Sequence, residues 1–182
     1  MNNTTIVPLS RGKHAIVDTA CLSLIQMHNW YFSKRGYAVT NCRTEEGRIT
    51  VTMHRVILGN PVCSHIDHIN GDKLDNRLSN LRMCTAAQNS MNRGNNKGKK
   101  YKGVSWHKRW LKFQAYIKAD GVLLALGYYN SEDEAALAYN EAAIRLHGEF
   151  AKLNCITPPT QPSKQSSSRT LEIQRNNTKS AE

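Results

Sequence analysis

Between Lys112 and Ala119 the chain alternates without a break. Phe113, Ala115, Ile117 and Ala119 fall on one side and Lys112, Gln114, Tyr116 and Lys118 on the other, the period of a strand with one buried face. Asp120-Gly121 is a hairpin signal, Val122 to Tyr129 supplies a further strand, and Tyr101 to Trp106 a third, which predicts an antiparallel sheet. The period then becomes helical. Ser131-Glu-Asp-Glu134 is a capping box that opens a helix running through Ala135 to His147 and closed by Gly148. Alanines at 135, 138 and 142 let that helix lie close on the sheet.

The first half of the chain is less regular. Ala15 to Val17, Tyr37 to Val39 and Ile49 to Thr52 read as short strands, and Ala20 to His28 as a helical stretch. His65 to His68 ends a strand, Asn70-Gly71-Asp72 and Asp75-Asn76 are turn formers, and Leu81 to Cys84 is a returning strand. Thr85-Ala-Ala-Gln88 has capping-box spacing, so a helix begins at Ala86. Met91 to Lys100 has no apolar residue after Met91, two glycines and four positive charges, the composition of a linker. The Pro- and Ser-rich run beyond Cys155 predicts a disordered tail. The expected organisation is a strand-rich extension at 1–53, a compact module at 54–92, a basic linker at 93–100, a sheet-and-helix module at 101–154, and the tail at 155–182.

Charge narrows the partners. The 182 residues carry a formal charge of +11, so the surface attracts polyanions, and nucleic acid is the commonest such partner. No apolar run approaches the roughly 20 residues of a membrane span, and Met1 to Ser10 lack a charged start followed by an apolar core, so no membrane is expected and the protein should remain in the cytoplasm. Five cysteines, odd in number and never in a C-x-x-C pair, indicate reduced thiols rather than disulfides or a zinc ribbon. Cys63 and Cys84, which flank the central segment, read as buried packing residues.

That central segment carries the chemistry. Ile66-Asp-His-Ile-Asn-Gly-Asp-Lys-Leu-Asp-Asn-Arg-Leu-Ser-Asn-Leu-Arg-Met-Cys-Thr-Ala-Ala-Gln-Asn89 resembles the HNH endonuclease motif, in the variant of phage homing endonucleases. Gly12 to Asp18, Trp30, Gly36 to Ala38 and Met53 to Arg55 are similar to the region preceding the motif in phage HNH proteins. The resemblance implies a ββα-metal (His-Me finger) unit in which Asp67 and Asn89 converge on one ion, His68 is the general base, and Asn80 holds the histidine loop. Carboxylate and amide oxygens suit a hard cation, which points to Mg²⁺ with Mn²⁺ as substitute. His65 and His54 do not match catalytic positions and read as structural or phosphate-contact residues. Asp72 and Asp75, beside Gly71 and Asn76, suit an Asx-turn better than a second metal pair. Arg82 and Arg93 are candidates for neutralising phosphates next to the cut.

The second module has its own likeness. Tyr101-Lys-Gly-Val104, Trp110, Phe113, Leu126-Gly127, Glu134-Ala-Ala136, Ala138-Tyr139, Ala142-Ala143, Gly148 and Lys152-Leu-Asn154 are similar to the plant ethylene-response-factor (Apetala-type) DNA-binding domain. In that family the three-stranded sheet enters the major groove, which makes Lys102, His107, Arg109, Trp110, Lys112, Gln114, Tyr116 and Lys118 the candidates for contacting DNA. Ser105, Leu123 and Ala125 stand where plant members commonly carry arginine or tryptophan, so the plant target sequence should not be inherited. From Arg93 to Lys118 there are nine lysines and arginines and no acid, which favours DNA contact over a plain solvated face.

Together these readings predict an α+β protein, a ββα-metal nuclease followed by a three-stranded antiparallel sheet packed on one helix, that hydrolyses phosphodiesters of double-stranded DNA. One active site per monomer implies nicking. No obligatory protein partner is indicated, and the resemblance implies the cytoplasm of a phage-infected bacterial host. The rivals are a DNA-binding regulator whose nuclease segment is only scaffold, and an RNA-binding module with an inert ββα unit.

Overall fold

The computed structural model describes residues 3–61, 65–95 and 98–156, so Cys63 and, apart from Cys155 and Ile156, the tail expected at 155–182 lie outside the described residues. Within them the chain is a mixed α+β protein built on small antiparallel sheets. β1 (Thr4–Pro8) and β2 (His14–Asp18) form a hairpin with Ile6 opposite Ile16. A 3-10 turn (Thr19–Cys21) leads into α1 (Leu22–Ile25), much shorter than the pattern over Ala20 to His28 suggests. At its end the Ile25 carbonyl accepts from His28 N–H at 3.1 Å and from the Trp30 indole at 2.8 Å. β3 (Tyr31–Phe32), β4 (Ala38–Thr44) and β5 (Gly47–Thr52) make a second sheet, followed by α2 (Met53–Ile57). β1, β3 and α2 were not expected from the sequence, and β3, of two residues, is too short to show a period.

β6 (His65–His68) pairs antiparallel with β7 (Leu81–Cys84), His65 opposite Cys84 and Asp67 opposite Arg82. α3 (Ala86–Met91) follows with its expected cap: Gln88 N–H donates to Thr85 Oγ1 at 3.2 Å while Thr85 N–H donates to the Gln88 side chain at 2.8 Å. One apolar cluster unites this ribbon with the preceding segments. Ile66 and Leu81 are buried with Ala15, Val17, Ile25, Ala38, Met53 and Ile57.

β8 (Val104–His107), β9 (Lys112–Ala119) and β10 (Val122–Tyr129) form the sheet predicted, in the order β10-β9-β8. α4 (Glu132–His147) covers one face, burying Ala135, Ala136, Tyr139, Ala142 and Ala143 against Val104, Ala115 and Ile117. Cys21, Cys42 and Cys155 are free thiols. Among the described residues no helix is long and apolar enough to cross a membrane.

Gly103 is where this packing leaves no room. It sits at φ +71°, and a Cβ there would lie 2.1 Å from the Tyr139 ring and 2.5 Å from the Tyr116 carbonyl. Left-handed strain and overpacking add, so Gly103→Ala should destabilise by about 3 kcal/mol. Urea denaturation checks this; a variant within experimental error of the wild type would mean that α4 does not lie so close.

Candidate active site

Asp67 and His68 end β6, both about 5 % exposed, and the chain then turns through a loop built almost entirely from its own polar groups. Asn80, at the end of the 3-10 turn Leu78–Asn80, ties that loop down. Its carbonyl accepts from Ile69 N–H at 2.9 Å and its Oδ1 from Asn70 N–H at 3.0 Å. Its amide Nδ2 donates to Asn70 Oδ1 at 3.0 Å and to the Asp75 carbonyl at 2.8 Å. Asp72 Oδ1 accepts from Leu74 N–H at 2.9 Å, an Asx-turn. Asp75 is held by the Arg77 guanidinium at 2.6 and 2.7 Å, which keeps its carboxyl below the usual range. Neither acid is placed as a second metal pair.

The His68 ring is fixed by Asn76, which is almost completely buried. Asn76 Nδ2 donates to the Leu74 carbonyl at 3.1 Å, so its Oδ1 is the atom that meets His68 Nε2, at 3.4 Å. That contact requires a proton on Nε2 and puts the lone pair on Nδ1. Burial pushes the imidazole below its ordinary value, with Asn76 and nearby carboxylates opposing, so the ring is neutral at pH 7 and its lone pair is free of a proton. His54 packs edge-on against it, ring centroids 5.0 Å apart, and Tyr37 lies 5.4 Å from His54 and 6.1 Å from His68. His54 thus belongs to the wall of the site.

Asp67 is bonded on both oxygens. Arg82, directly across the ribbon, puts Nε and Nη2 on Oδ2 at 2.9 and 2.7 Å, and Asn92 Nδ2 stands 3.0 Å from each oxygen. The same amide nitrogen reaches the carbonyls of His68 (2.9 Å) and Ile69 (3.2 Å). The helix amide bonded to Asp67 is therefore Asn92, just past α3. Asn89, chosen from the sequence, lies one turn earlier in α3 and is partly exposed. Arg82 is not on the open surface where a phosphate contact would put it; its side chain is 13 % exposed and committed to Asp67.

Asn76 and Asn92 were missed from the sequence, the first because it sits in a run of turn formers and the second because it opens a stretch without apolar residues. Its spacing of three residues from Asn89, one helical turn, was the available signal. For a cation, Asp67 Oδ1 is the oxygen with capacity to spare, since Oδ2 carries the Arg82 bonds. Among the described residues no group of three His, Cys, Asp or Glu could hold an ion. A site with one carboxylate, completed by amide, water and phosphate oxygens, fits a hard divalent cation and not zinc.

On the second module, the face turned away from α4 gathers His107, Lys112, Gln114, Tyr116 and Lys118, by the register His107↔Lys112, Gln114↔Tyr128, Tyr116↔Ala125 and Lys118↔Leu123. Trp110 joins them, 4.2 Å from the Tyr128 ring and 5.3 Å from His107, while Arg109 is exposed in the β8-β9 turn. Lys102 points elsewhere: its ammonium bonds the Met91 carbonyl and, at 2.8 Å, that of Arg93. Burial, with Lys152 and Arg93 nearby, pushes it down to about 8. A cleft of about 600 Å³ between α3 and the sheet is lined by Arg93, Lys99, Lys102, Tyr116 and Lys118.

The HNH endonuclease family matches residues 61–91, the segment that carries this site. An uncharacterized HNH endonuclease of Acanthamoeba polyphaga mimivirus is 31% identical over 156 residues, 84% of this chain and 80% of that one. The chain belongs to the HNH endonuclease family, DNA nucleases that generally use a divalent metal. Two plant proteins match the second module. Ethylene-responsive transcription factor 1 of Solanum lycopersicum is 46% identical over 61 residues, 32% of this chain and 25% of that one. Dehydration-responsive element-binding protein 2C of Arabidopsis thaliana is 46% identical over 56 residues, 30% of this chain and 16% of that one. This chain thus spans a quarter or less of either plant protein. No solved structure matches it significantly.

Burial, then the His68 and Arg55 charges, push His54 down to about 3. The unfolded histidine takes a proton near 6.5, the folded one does not, so stability from His54 is intact above pH 6.5 and lost as pH falls towards 3. At about 1.4 kcal/mol per pH unit, the loss by pH 5 is about 2 kcal/mol. Urea denaturation at pH 7 and pH 5 should show wild type losing that much more than His54→Gln; equal losses would mean that His54 takes up its proton in the fold.

Proposed function

We propose that the chain is a homing-type endonuclease that nicks double-stranded DNA, using one divalent cation, Mg²⁺ or Mn²⁺ in its place, held by Asp67 and Asn89 in a ββα-metal unit. The observation that carries this reading is the His68 ring itself, neutral, aimed by Asn76 through Nε2, and adjacent in the chain to a buried carboxylate whose Oδ1 carries only the shared Asn92 amide. Nδ1 of His68 accepts the proton of the attacking water. Asn80 acts indirectly, by fixing the loop that sets the ring's position. A bound cation would supply neutralisation of the charge on the scissile phosphate and the leaving oxygen. Asp67 Oδ1 and the Asn89 amide oxygen would be its protein ligands.

Binding falls to the second module. Its likeness to plant transcription factors and its basic open face support insertion of the sheet into a major groove, with His107, Arg109, Trp110, Lys112, Gln114, Tyr116 and Lys118 meeting phosphates, sugars or base edges. Arg93 stands between the two functions, lining the cleft beside α3. Lys102 and Arg82 serve structure in this reading, since their donors are already taken.

Plasmid nicking dependent on Mg²⁺ should be lost by at least about a hundredfold in His68→Ala, with duplex binding retained. Binding without metal-dependent cleavage by the wild type would instead identify a DNA-binding regulator, and tighter binding to RNA than to duplex DNA an RNA-binding module. Activity should stay level from pH 8 down to the ordinary histidine range and fall only below it, because His68 protonates late. Lys112→Ala should reduce the salt slope of log affinity by about 0.9, the share of one phosphate contact. An unchanged slope would remove Lys112 from the interface.

A further inference from the structure

Arg82 does more than pair with Asp67. While Nε and Nη2 hold Asp67 Oδ2, Nη1 donates to the backbone carbonyl of Glu149 at 2.7 Å, and the guanidinium carbon stands 3.9 Å from the centroid of the Phe150 ring. Glu149 and Phe150 belong to the 3-10 turn Gly148–Phe150 that closes α4, on the second module. A guanidinium has five N–H donors in one plane, so gripping it along one edge and on one face fixes the direction of the other edge. Phe150 is buried and its turn packs against α3, so the grip is part of a wider contact. Lys102 of the second module holds the Met91 and Arg93 carbonyls at the end of α3, and Lys152 Nζ lies 3.4 Å from the Asn70 carbonyl in the histidine loop. Each of these contacts from the second module falls on an element of the candidate nuclease site.

We infer that the second module is a working part of the nuclease centre: Glu149 and Phe150 clamp Arg82, and the clamped Arg82, with Asn92, turns the Asp67 carboxylate so that Oδ1 faces the cation. This rests on the reading of Asp67 as a metal ligand and adds a positioning chain, Phe150 to Arg82 to Asp67. With the clamp gone, Arg82 still neutralises Asp67 but is free to swing across both oxygens and compete with the ion.

The full-length chain tests this with Mn²⁺ binding by electron paramagnetic resonance on DNA-free protein, alongside plasmid nicking, duplex affinity and thermal denaturation. Phe150→Ala should weaken Mn²⁺ binding and slow nicking, each about tenfold, the usual effect of losing a group that orients a ligand, while duplex affinity stays within about twofold. Phe150→Tyr, which keeps the ring face, should restore both. If Phe150→Ala does not fold, Phe150→Leu keeps the bulk and loses the π face; Mn²⁺ binding about threefold weaker supports the clamp, and wild-type binding overturns it. A wild-type chain that holds no Mn²⁺ removes the ion site and the inference with it, whereas wild-type binding left intact by Phe150→Ala removes the inference alone.

Discussion

A buried carboxylate that is to hold a cation faces two opposed demands: its charge must be balanced, and one of its oxygens must stay open. At Asp67 the antiparallel register that sets it opposite Arg82 answers the first, and it gathers the guanidinium bonds on a single oxygen. Two guanidinium bonds land on one oxygen, Oδ2, and the amide of Asn92 straddles the pair. A slip of one residue in the ribbon would turn Arg82 to the other face and leave a nearly buried anion without its partner, at a cost of about 3–5 kcal/mol. The register is therefore pinned by charge as well as by the apolar positions Ile66 and Leu81.

The same pinning sets the histidine. Asp67 and His68 are neighbours in a strand and point to opposite faces, so the carboxylate turns to Arg82 and the imidazole to Asn76, His54 and Tyr37. His54, neutral and edge-on to His68, adds bulk without adding charge, so it leaves the basicity of the ring to burial and Asn76. Asn76 in turn depends on β2: its N–H donates to the Ile16 carbonyl at 2.7 Å, and Ile16 N–H donates to the Leu74 carbonyl at 2.8 Å.

Much of this was legible in the residues. Lys112–Ala119 gave its strand and its two faces because the period of two ran unbroken for eight residues, and Thr85 and Ser131 gave helix starts because a capping box needs only local spacing. Asp67, His68 and Asn80 stood out because their spacing matched a known motif. What escaped was tertiary. Asn92 and Asn76 act through bonds to residues 25 and 8 positions away, and nothing in an asparagine's neighbours announces which carboxylate or ring it will meet. Arg82 and Lys102 were read as candidates for contacting phosphate or DNA, whereas packing between modules engages their donors.

That packing follows from size. β6, β7 and α3 together offer four, four and six residues, and the ribbon buries only Ile66, Leu81 and Cys84 as apolar side chains, far short of an independent core. It has to borrow. On one side it shares the cluster formed by Val17, Ile25, Met53 and Ile57 from the preceding strands and helices, and the loop carrying Asn76 is bonded to β2. On the other, α3 rests its carbonyl end on Lys102 and lies against the turn that holds Arg82. A catalytic unit too small to be rigid alone gains its rigidity from both neighbours. The extension and the second module are thus walls of the site, and changes in either should reach the chemistry through Asn76 and Arg82 before they reach it by unfolding.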